Sequence, residues 1–252
     1  MPHRTQLKYP ARQYIAQIAR FDPSKGIPAV LESYRKLRQL YAENLPDADP
    51  PQLLICGHGA IDDPDASIIF DRTVHHMDSK RFDLIREDIV VMRLGPSDQL
   101  LDALLSAAKI ILQLSSREGF EVKVSEALHK GKPVIATRAG GIPLQVQDGK
   151  NGYLVEVGDV SAVAEKAFLL LNDEKRWRSM SEYARRSVSD EVCTVGNALC
   201  WMYLAHKLAS GECIRGQEQW VADMAREEAG IPWKADETRL PRAGLQCRAQ
   251  LA

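Results

Sequence analysis

Two glutamates frame a short turn in the middle of the chain and could act on one ligand. In the stretch SREGFEVKVSEAL, seven residues separate Glu118 from Glu126, and Gly119 and Phe120 make the turn into a predicted helix. Free N–H groups at the start of that helix attract an anion. Glu126 lies off the apolar face, so its carboxylate can accept two hydroxyl hydrogen bonds, as from a ribose or sugar diol. The alternatives are a solvated Glu118 and a surface pair of Glu126 with Lys130, which is worth only about 0.3–0.5 kcal/mol.

Two cations follow the first predicted strand. In ARFDPSKGI, Asp22 can cap a helical turn with Pro23 at its first position. Lys25 then lies in that turn, where the helix dipole disfavours a cation by about 0.3–1 kcal/mol. A cation in that place implies an anion nearby, so Arg20 and Lys25 are candidates for gripping a phosphate, and Gly26 would allow close backbone approach. The alternative, in which both cations are solvated or paired with Asp22, stays open.

Two further loops are expected at the same edge of the fold. Gly140 and Gly141, in RAGGIP, permit unusual φ angles and leave amides uncovered for a ligand, unless they only form a tight turn. Arg138 begins this loop, and Arg93 ends the third predicted strand. Both arginines are candidate ligand contacts by position, although a structural role is favoured around Arg93.

The sequence lacks the motifs that mark several other ligands. Neither G-x-G-x-x-G nor G-x-x-x-x-G-K-[ST] occurs in these loops, which disfavours a standard dinucleotide site or P-loop. The histidines have no metal-ligand spacing, and the five cysteines are scattered without a C-x-x-C pair. We therefore predict no metal and no cofactor, and the cysteine pattern favours a reduced, cytoplasmic protein.

The elements that would position these residues alternate along the chain. Short apolar runs predict strands near residues 13–19, 52–57, 88–94, 109–115, 132–138 and 152–157. Helical patterns lie between them, near residues 24–42, 66–84, 97–107, 121–130 and 141–147. This alternation predicts an α/β fold with a doubly wound, parallel, Rossmann-like sheet of six strands. In the usual order 3-2-1-4-5-6, ligands bind where the order reverses, between the first and fourth strands.

The same patterns suggest a division of the chain. Residues 1–12 are a predicted N-terminal extension, and residues 13–190 form the Rossmann-like domain. Residues 191–230 read as a helical extension without strands. Proline and charge rise in residues 231–252, which are expected to be a loosely ordered tail.

Composition limits the classes of partner. The chain has 252 residues, of which 45% are hydrophobic and 27% charged, an ordinary globular composition. Its formal net charge of -1 gives no global field that favours nucleic acid or an anionic membrane. No apolar run approaches the roughly 20 residues of a membrane span. We therefore predict a small-molecule substrate, no nucleic acid and no membrane partner.

Together these motifs resemble the C-terminal, donor-binding domain of a retaining glycosyltransferase with the two-domain GT-B fold. Glu118 and Glu126 match the family's Glu-x7-Glu motif, and Arg20 and Lys25 match its basic pair after the first strand. Gly140 and Gly141, after the fifth predicted strand, match a Gly-Gly turn of the family. The similarity to the family runs from about residue 13 to 210. The resemblance implies that Glu118 lies by the transferred hexose and that Glu126 holds a donor hydroxyl pair. Arg20 and Lys25 would neutralise the leaving phosphate.

Within the family, the segments IARFDPSKGIP and SSREGFEVKVSEALHKGKPVIATRAGGIPLQ are most similar to fungal enzymes that transfer glucose between trehalose and phosphate. This similarity implies a reversible reaction of trehalose and phosphate to glucose and α-glucose 1-phosphate, with retained configuration. The family places its acceptor on an N-terminal domain, whereas this chain reaches its first strand within about fifteen residues. We therefore expect a missing acceptor domain as a partner. The alternative is a truncated, non-catalytic module that binds a sugar phosphate or nucleotide sugar.

Two positions depart from the family pattern. Glu121 stands where the family usually has glycine, and it adds a carboxylate beside the expected phosphate site. A small phosphate or phosphosugar is then more plausible than a nucleoside diphosphate, provided that Glu121 turns outward. Leu144 and Gln145 stand where an acidic residue often follows the Gly-Gly turn, which leaves the hexose contacts there open.

Overall fold

The computed structural model of the protein describes residues 6–57, 65–95, 97–214 and 219–242. The first residues of the predicted N-terminal extension and the end of the predicted tail lie outside these ranges.

The described residues form a parallel sheet with the predicted topology. Its strands are β1 (Tyr14–Ile18), β2 (Gln52–Gly57), β3 (Ile89–Arg93), β4 (Ile110–Gln113), β5 (Val134–Thr137) and β6 (Gly152–Val155). They lie in the order β3-β2-β1-β4-β5-β6, and every neighbouring pair is parallel. In the register of the sheet, Ile15 of β1 lies beside Leu53 of β2 and Ile110 of β4. The predicted α/β class, strand number and strand order are confirmed, and the order reverses between β1 and β4.

Helices connect and follow the strands. In the described part of the chain they are α1 (Ile27–Asn44), α2 (Asp65–Met77), α3 (Asp98–Ala107), α4 (Val122–His129), α5 (Ile142–Gln145), α6 (Val160–Asn172), α7 (Glu174–Arg186), α8 (Thr194–Ala209) and α9 (Val221–Glu228). Short 3-10 turns lie at Pro23–Lys25, Lys80–Phe82, Arg86–Asp88 and Asp190–Val192. None of the helices within the described ranges combines the length and apolar character that a membrane crossing needs.

One predicted helix is shorter than expected. The pattern over residues 66–84 predicts one continuous helix, whereas α2 ends at Met77 and two 3-10 turns follow. The helix ends where Ser79 takes extended backbone angles, with φ -70° and ψ 148°, before the first 3-10 turn, and its hydroxyl makes no cap bond. The chain then turns so that Phe82 is fully buried in the core.

The core lies between the sheet and the helices that cover it. All five residues of β1 are buried, as expected for a central strand of a parallel sheet. Tyr34 of α1 is fully buried and donates its hydroxyl to the carbonyl oxygen of Pro51 at 2.8 Å. α1 packs against α6, where the rings of Tyr41 and Phe168 meet edge to face with centroids 5.2 Å apart.

The chain divides into two compact units, Met1–Arg186 and Ser187–Ala252. The first contains the sheet and helices α1 to α7, and the second contains α8 and α9. Within the second unit, Arg242 contacts Glu191 at 2.6 Å and Asp223 at 2.7 Å. The domain extents given by the sequence stay predictions.

Candidate functional site

A tight turn after β1 carries Lys25 to the carboxyl edge of the sheet. Asp22 accepts hydrogen bonds from the backbone N and the Oγ of Ser24, at 2.7 and 2.6 Å, and these bonds lower the pKa of Asp22. Asp22 thus caps the 3-10 turn that ends at Lys25, as predicted. Gly26 follows with a φ of 64°, and a Cβ there would lie 1.9 Å from the carbonyl oxygen of Leu114. Glycine is therefore required for the turn to pack against the segment that leaves β4.

Two carboxylates meet the ammonium group of Lys25. The Nζ atom lies 2.5 Å from Glu118 Oε2 and 2.6 Å from Glu121 Oε2. Ser115 also donates its hydroxyl to Glu118 Oε2, at 3.2 Å. The three charged side chains, called here the Lys25 cluster, are only 10–14% exposed. The structure therefore brings the predicted residues Lys25 and Glu118 into direct contact.

Glu121 points inward, so the condition under which the sequence favoured a small phosphate over a nucleoside diphosphate, that Glu121 turns outward, is not met. Its residue exposure is 8%, and it takes the N-cap position of α4, where its Oε1 accepts the backbone N–H of Lys123 at 3.1 Å. Its Oε2 also accepts from Gln113 Nε2 at 3.0 Å. Gln145 fixes the backbone, since it donates to the carbonyl oxygen of Glu121 at 2.8 Å and accepts its N–H at 3.2 Å. Lys25, Gln113 and the backbone N–H of Lys123 together contact the buried carboxylate of Glu121.

Burial and proximity shift the pKa values of the cluster in different directions. Burial raises the pKa of Glu121, and its hydrogen bond with Glu118 adds to the rise, while Lys25 opposes it. For Glu118, burial alone would raise the pKa, but hydrogen bonds with Lys25 and Glu121 outweigh burial and lower it. Burial alone would lower the pKa of Lys25, yet its bonds to both carboxylates leave that pKa raised. Glu121 is therefore the carboxyl group of the pair that takes up a proton first as pH falls.

The glycine turn after β5 packs on the Glu118 turn. Gly141 donates its N–H to the carbonyl oxygen of Gly119 at 2.7 Å. Gly140 has a φ of 53°, and a Cβ there would lie 1.5 Å from the carbonyl oxygen of Glu118. The expectation that both amides are uncovered is therefore wrong for Gly141, whose N–H is already bonded. The two glycines form the tight turn and support the backbone of Glu118.

Arg20 stands apart from the Lys25 cluster at the mouth of a small cleft. Its side chain is 51% exposed, and its Nη2 lies 4.0 Å from Asp22 Oδ2, at the limit of an ion pair. Arg20, Lys25, Glu121 and Lys123 supply the charged lining of a cleft of about 130 Å³. The ends of β1 and β2 form its apolar wall. Both predicted cations thus face the entrance of α4 at the point where the strand order reverses.

Glu126 lies in a neighbouring cavity of about 340 Å³, next to Lys123. Its Oε2 lies 2.6 Å from Lys123 Nζ, and its side chain is 40% exposed. The alternative pair with Lys130 is wrong, because Lys130 instead contacts Asp102 at 2.5 Å. Lys123 and Leu101 line both this cavity and the cleft at Arg20, so the two hollows adjoin.

The remaining predicted contacts bind other partners. Arg93 donates to Ser67 Oγ at 2.8 Å. Arg138 pairs with Asp148 at 3.2 Å and with Glu156 at 3.3 Å. Phe120 follows Gly119 with 42% of its surface exposed. The structure therefore does not join these side chains to the Lys25 cluster by a polar contact, and their donor-binding roles stay predictions.

Several polar residues of the site were missed at the level of sequence. Gln17 lies in β1 and Gln113 in β4, and both are almost fully buried. Gln17 donates to the carbonyl oxygen of Lys25 at 2.7 Å and accepts the N–H of Leu114 at 3.1 Å. The Oε1 atom of Gln113 has no partner among the described residues. A glutamine in each of two otherwise apolar strands is the sequence signal that could have revealed these buried polar contacts beneath the site.

The described side chains that could ligate a metal ion form no such site. Within residues 6–57, 65–95, 97–214 and 219–242, no group of three or more His, Cys, Asp or Glu side chains is placed to hold one. The cluster already contains an ammonium group that contacts both of its carboxylates.

Comparison with known families defines the class of protein. The chain matches the Glycosyl transferases group 1 family over residues 3–187, the region that holds the sheet, the cleft and the Lys25 cluster. It belongs to this glycosyltransferase family, and the family predicted from the motifs is confirmed.

Within this family, the chain is similar to enzymes named for trehalose. Trehalose phosphorylase from Pleurotus pulmonarius is 58% identical over 243 residues, which are 95% of this chain and 33% of that protein. Trehalose synthase from Thermococcus litoralis is 36% identical over 181 residues, covering 72% of this chain and 41% of that protein. Sucrose-phosphate synthase from Thermosynechococcus elongatus has the same fold, with a TM-score of 0.65 at 22% identity over 80% of this chain and 46% of that chain. The predicted likeness to the fungal branch is confirmed, and the chain spans about a third of the length of the trehalose phosphorylases that it matches.

Proposed function

We propose that this chain is the phosphate- and donor-binding part of an enzyme that moves glucose reversibly between trehalose and phosphate. The observation that carries the proposal is the pair of cations, Arg20 and Lys25, at the reversal of strand order beside Glu118. The 58% identity to a trehalose phosphorylase supports the choice of substrates.

The proposed reaction uses each group in a defined way. The glycosidic C–O bond of trehalose breaks, an oxygen of hydrogen phosphate bonds to the anomeric carbon with retained configuration, and the departing glucose oxygen takes the proton that the hydrogen phosphate gives up. In the reverse direction phosphate leaves, and Arg20 and Lys25 stabilise the negative charge that develops on it. Glu118 lies beside the transferred glucose. Glu126 exchanges its contact with Lys123 for hydrogen bonds from two hydroxyl groups of that glucose.

A binding module without turnover is the competing proposal. It is favoured by the contacts of Lys25, because two carboxylates already occupy the ammonium group and an arriving phosphate must compete with them. Such a module would bind a sugar phosphate or a nucleotide sugar through the same cleft.

A ligand panel and a turnover assay test the proposal together. Thermal shift would compare phosphate, glucose 1-phosphate, UDP and UDP-glucose, with chloride at matched ionic strength as the control for salt. Phosphate and glucose 1-phosphate should raise the Tm most, and a stronger effect of UDP or UDP-glucose would contradict the phosphate donor. Release of phosphate from glucose 1-phosphate in the presence of glucose would support an enzyme, whereas binding without release would support the module.

A further inference from the structure

Glu121 occupies the place where two anion-attracting groups meet. Its Oε2 lies 2.6 Å from Lys25 Nζ, and its Oε1 accepts the N–H of Lys123 in the first turn of α4 at 3.1 Å. A helix N-terminus and a nearby ammonium group together form a favourable environment for a phosphate. Here a carboxylate of the chain itself fills that environment.

The side chain of Glu121 is not free to swing aside. Gln113 holds the carboxylate at 3.0 Å, and Gln145 holds the backbone N–H and carbonyl of residue 121. Gln145 is fixed in turn by a bond of 2.9 Å to Ser125 Oγ. A ligand that needs the entrance of α4 must therefore break several buried hydrogen bonds at once.

Space and charge beside Glu121 favour one phosphate group over two. The cleft at Arg20 measures about 130 Å³, which suits a phosphate group, and the glucose of glucose 1-phosphate would extend into the adjoining cavity of about 340 Å³ at Glu126. Arg20, half-exposed and 4.0 Å from the nearest carboxylate oxygen, lines the cleft as well, so a single phosphate can reach it. A second phosphate would have to approach the carboxylate of Glu121, where like charges repel.

We propose that Glu121 determines which phosphate compounds this cleft accepts: its carboxylate excludes a nucleoside diphosphate from the entrance of α4 and leaves the space at Arg20 to one phosphate group. The inference rests on the proposed function, because it assigns the selectivity of the same site to one residue.

The test compares three forms of the chain by titration calorimetry with UDP and with inorganic phosphate. Glu121→Gly removes both the charge and the volume, and Glu121→Gln removes only the charge. We expect Glu121→Gly to bind UDP at least about tenfold more tightly than the wild type, while phosphate affinity changes by less than about threefold. A gain in both variants assigns the exclusion to charge, and a gain in Glu121→Gly alone assigns it to volume.

Controls separate the possible failures. Glu174→Gln removes one 53%-exposed carboxylate from α7, outside the lining of both hollows, and should leave UDP binding unchanged, so an equal gain there overturns the inference. The Tm without ligand shows whether each variant folds. If Glu121→Gly does not fold, the UDP affinity of Glu121→Gln alone decides whether Glu121 excludes UDP. Phosphate binding without any gain in UDP affinity refutes the role of Glu121 only. Wild-type protein that binds UDP but neither phosphate nor glucose 1-phosphate refutes the proposed function as well.

Discussion

Lys25 offsets part of the negative charge of Glu118 and Glu121 at the site. One ammonium group faces two carboxylates, so the cluster has an excess negative charge unless one glutamate is protonated. Arg20, in contrast, lies at the limit of ion-pair distance from its nearest carboxylate. The two cations should therefore respond differently to substitution, because Lys25 also pairs with two buried carboxylates that stabilise the fold, whereas Arg20 does not.

Arg20→Ala should weaken phosphate binding by about tenfold and leave the unliganded Tm unchanged. A charged hydrogen bond contributes about 1.5–3 kcal/mol, and about 1.4 kcal/mol corresponds to a factor of ten. Calorimetric titration with phosphate measures the loss. Arg178→Ala is the matched control, since Arg178 on α7 is 71% exposed and pairs with Glu174. An equal loss in this control would show that net charge, not the cleft, governs binding.

Lys25→Ala should lower the free energy of unfolding by about 3 kcal/mol, because it leaves two buried carboxylates without their cation. Urea denaturation measures the change. Adding Glu121→Gln to Lys25→Ala should restore part of the stability, since one of the unpaired carboxylates is then neutral. Additive losses in the double variant would mean that Lys25 and Glu121 act independently.

The opposite pKa shifts of the two glutamates predict opposite pH profiles. The raised pKa of Glu121 contributes stability that is present at low pH and lost as pH rises through the folded-state pKa. The lowered pKa of Glu118 contributes stability at higher pH that is lost as pH falls. Relative to wild type, the Tm of Glu121→Gln should therefore rise as the pH increases above about 4.3, whereas that of Glu118→Gln should fall as the pH increases towards about 4.3 from below. Parallel slopes in a thermal-shift series would contradict the assignment.

The residue types of the site could be predicted, but one orientation could not. Glu118 and Lys25 follow neighbouring strands of the sheet, and a parallel sheet brings such positions together. Glu121 in a polar loop is expected to face solvent, since carboxylates are seldom buried alone. Its inward position depends on Lys25, which lies 96 positions away along the sequence, and local pattern carries no information on that distance.

At the scale of elements, the loop after β5 acts as a support for the loop after β4. Gly140→Ala should destabilise the protein by at least about 3 kcal/mol, because a left-handed backbone costs about 1–2 kcal/mol and the new Cβ would strike the carbonyl of Glu118. It should also weaken phosphate binding, since the turn that carries Glu118 must move. Urea denaturation and phosphate titration measure both effects.

Gly149→Ala is the matched control for this substitution. Gly149 has a φ of 77°, and an added Cβ would meet nothing within 4 Å. It should show only the backbone cost of about 1–2 kcal/mol and bind phosphate normally. Equal losses in the two variants would remove the argument that close packing on Glu118 requires glycine at position 140.

The positions of the strands could be predicted, because the local apolar pattern decides where a buried strand forms. All six strands lie within the predicted apolar runs, because a strand buried on both faces needs continuous apolar residues. The start of α1 at Ile27 and the end of α2 at Met77 differ from the predicted bounds. The left-handed Gly26 delays α1 so that the Lys25 turn can pack beneath Leu114, a contact that local periodicity does not encode.

At the scale of the whole molecule, the first unit contains the described residues of the cleft and of the Lys25 cluster. The main hydrophobic cluster runs from Ile15 to Met180, and the cleft and the Lys25 cluster lie within Met1–Arg186. A chain that ends after Arg186 should therefore fold cooperatively and show the phosphate-induced rise in Tm of the 252-residue chain, to within about 2 °C. Thermal shift with and without phosphate compares the two proteins. Loss of the phosphate response in a folded, truncated chain would mean that residues after Arg186 shape the cleft, and that selectivity cannot be assigned to the edge of the sheet alone.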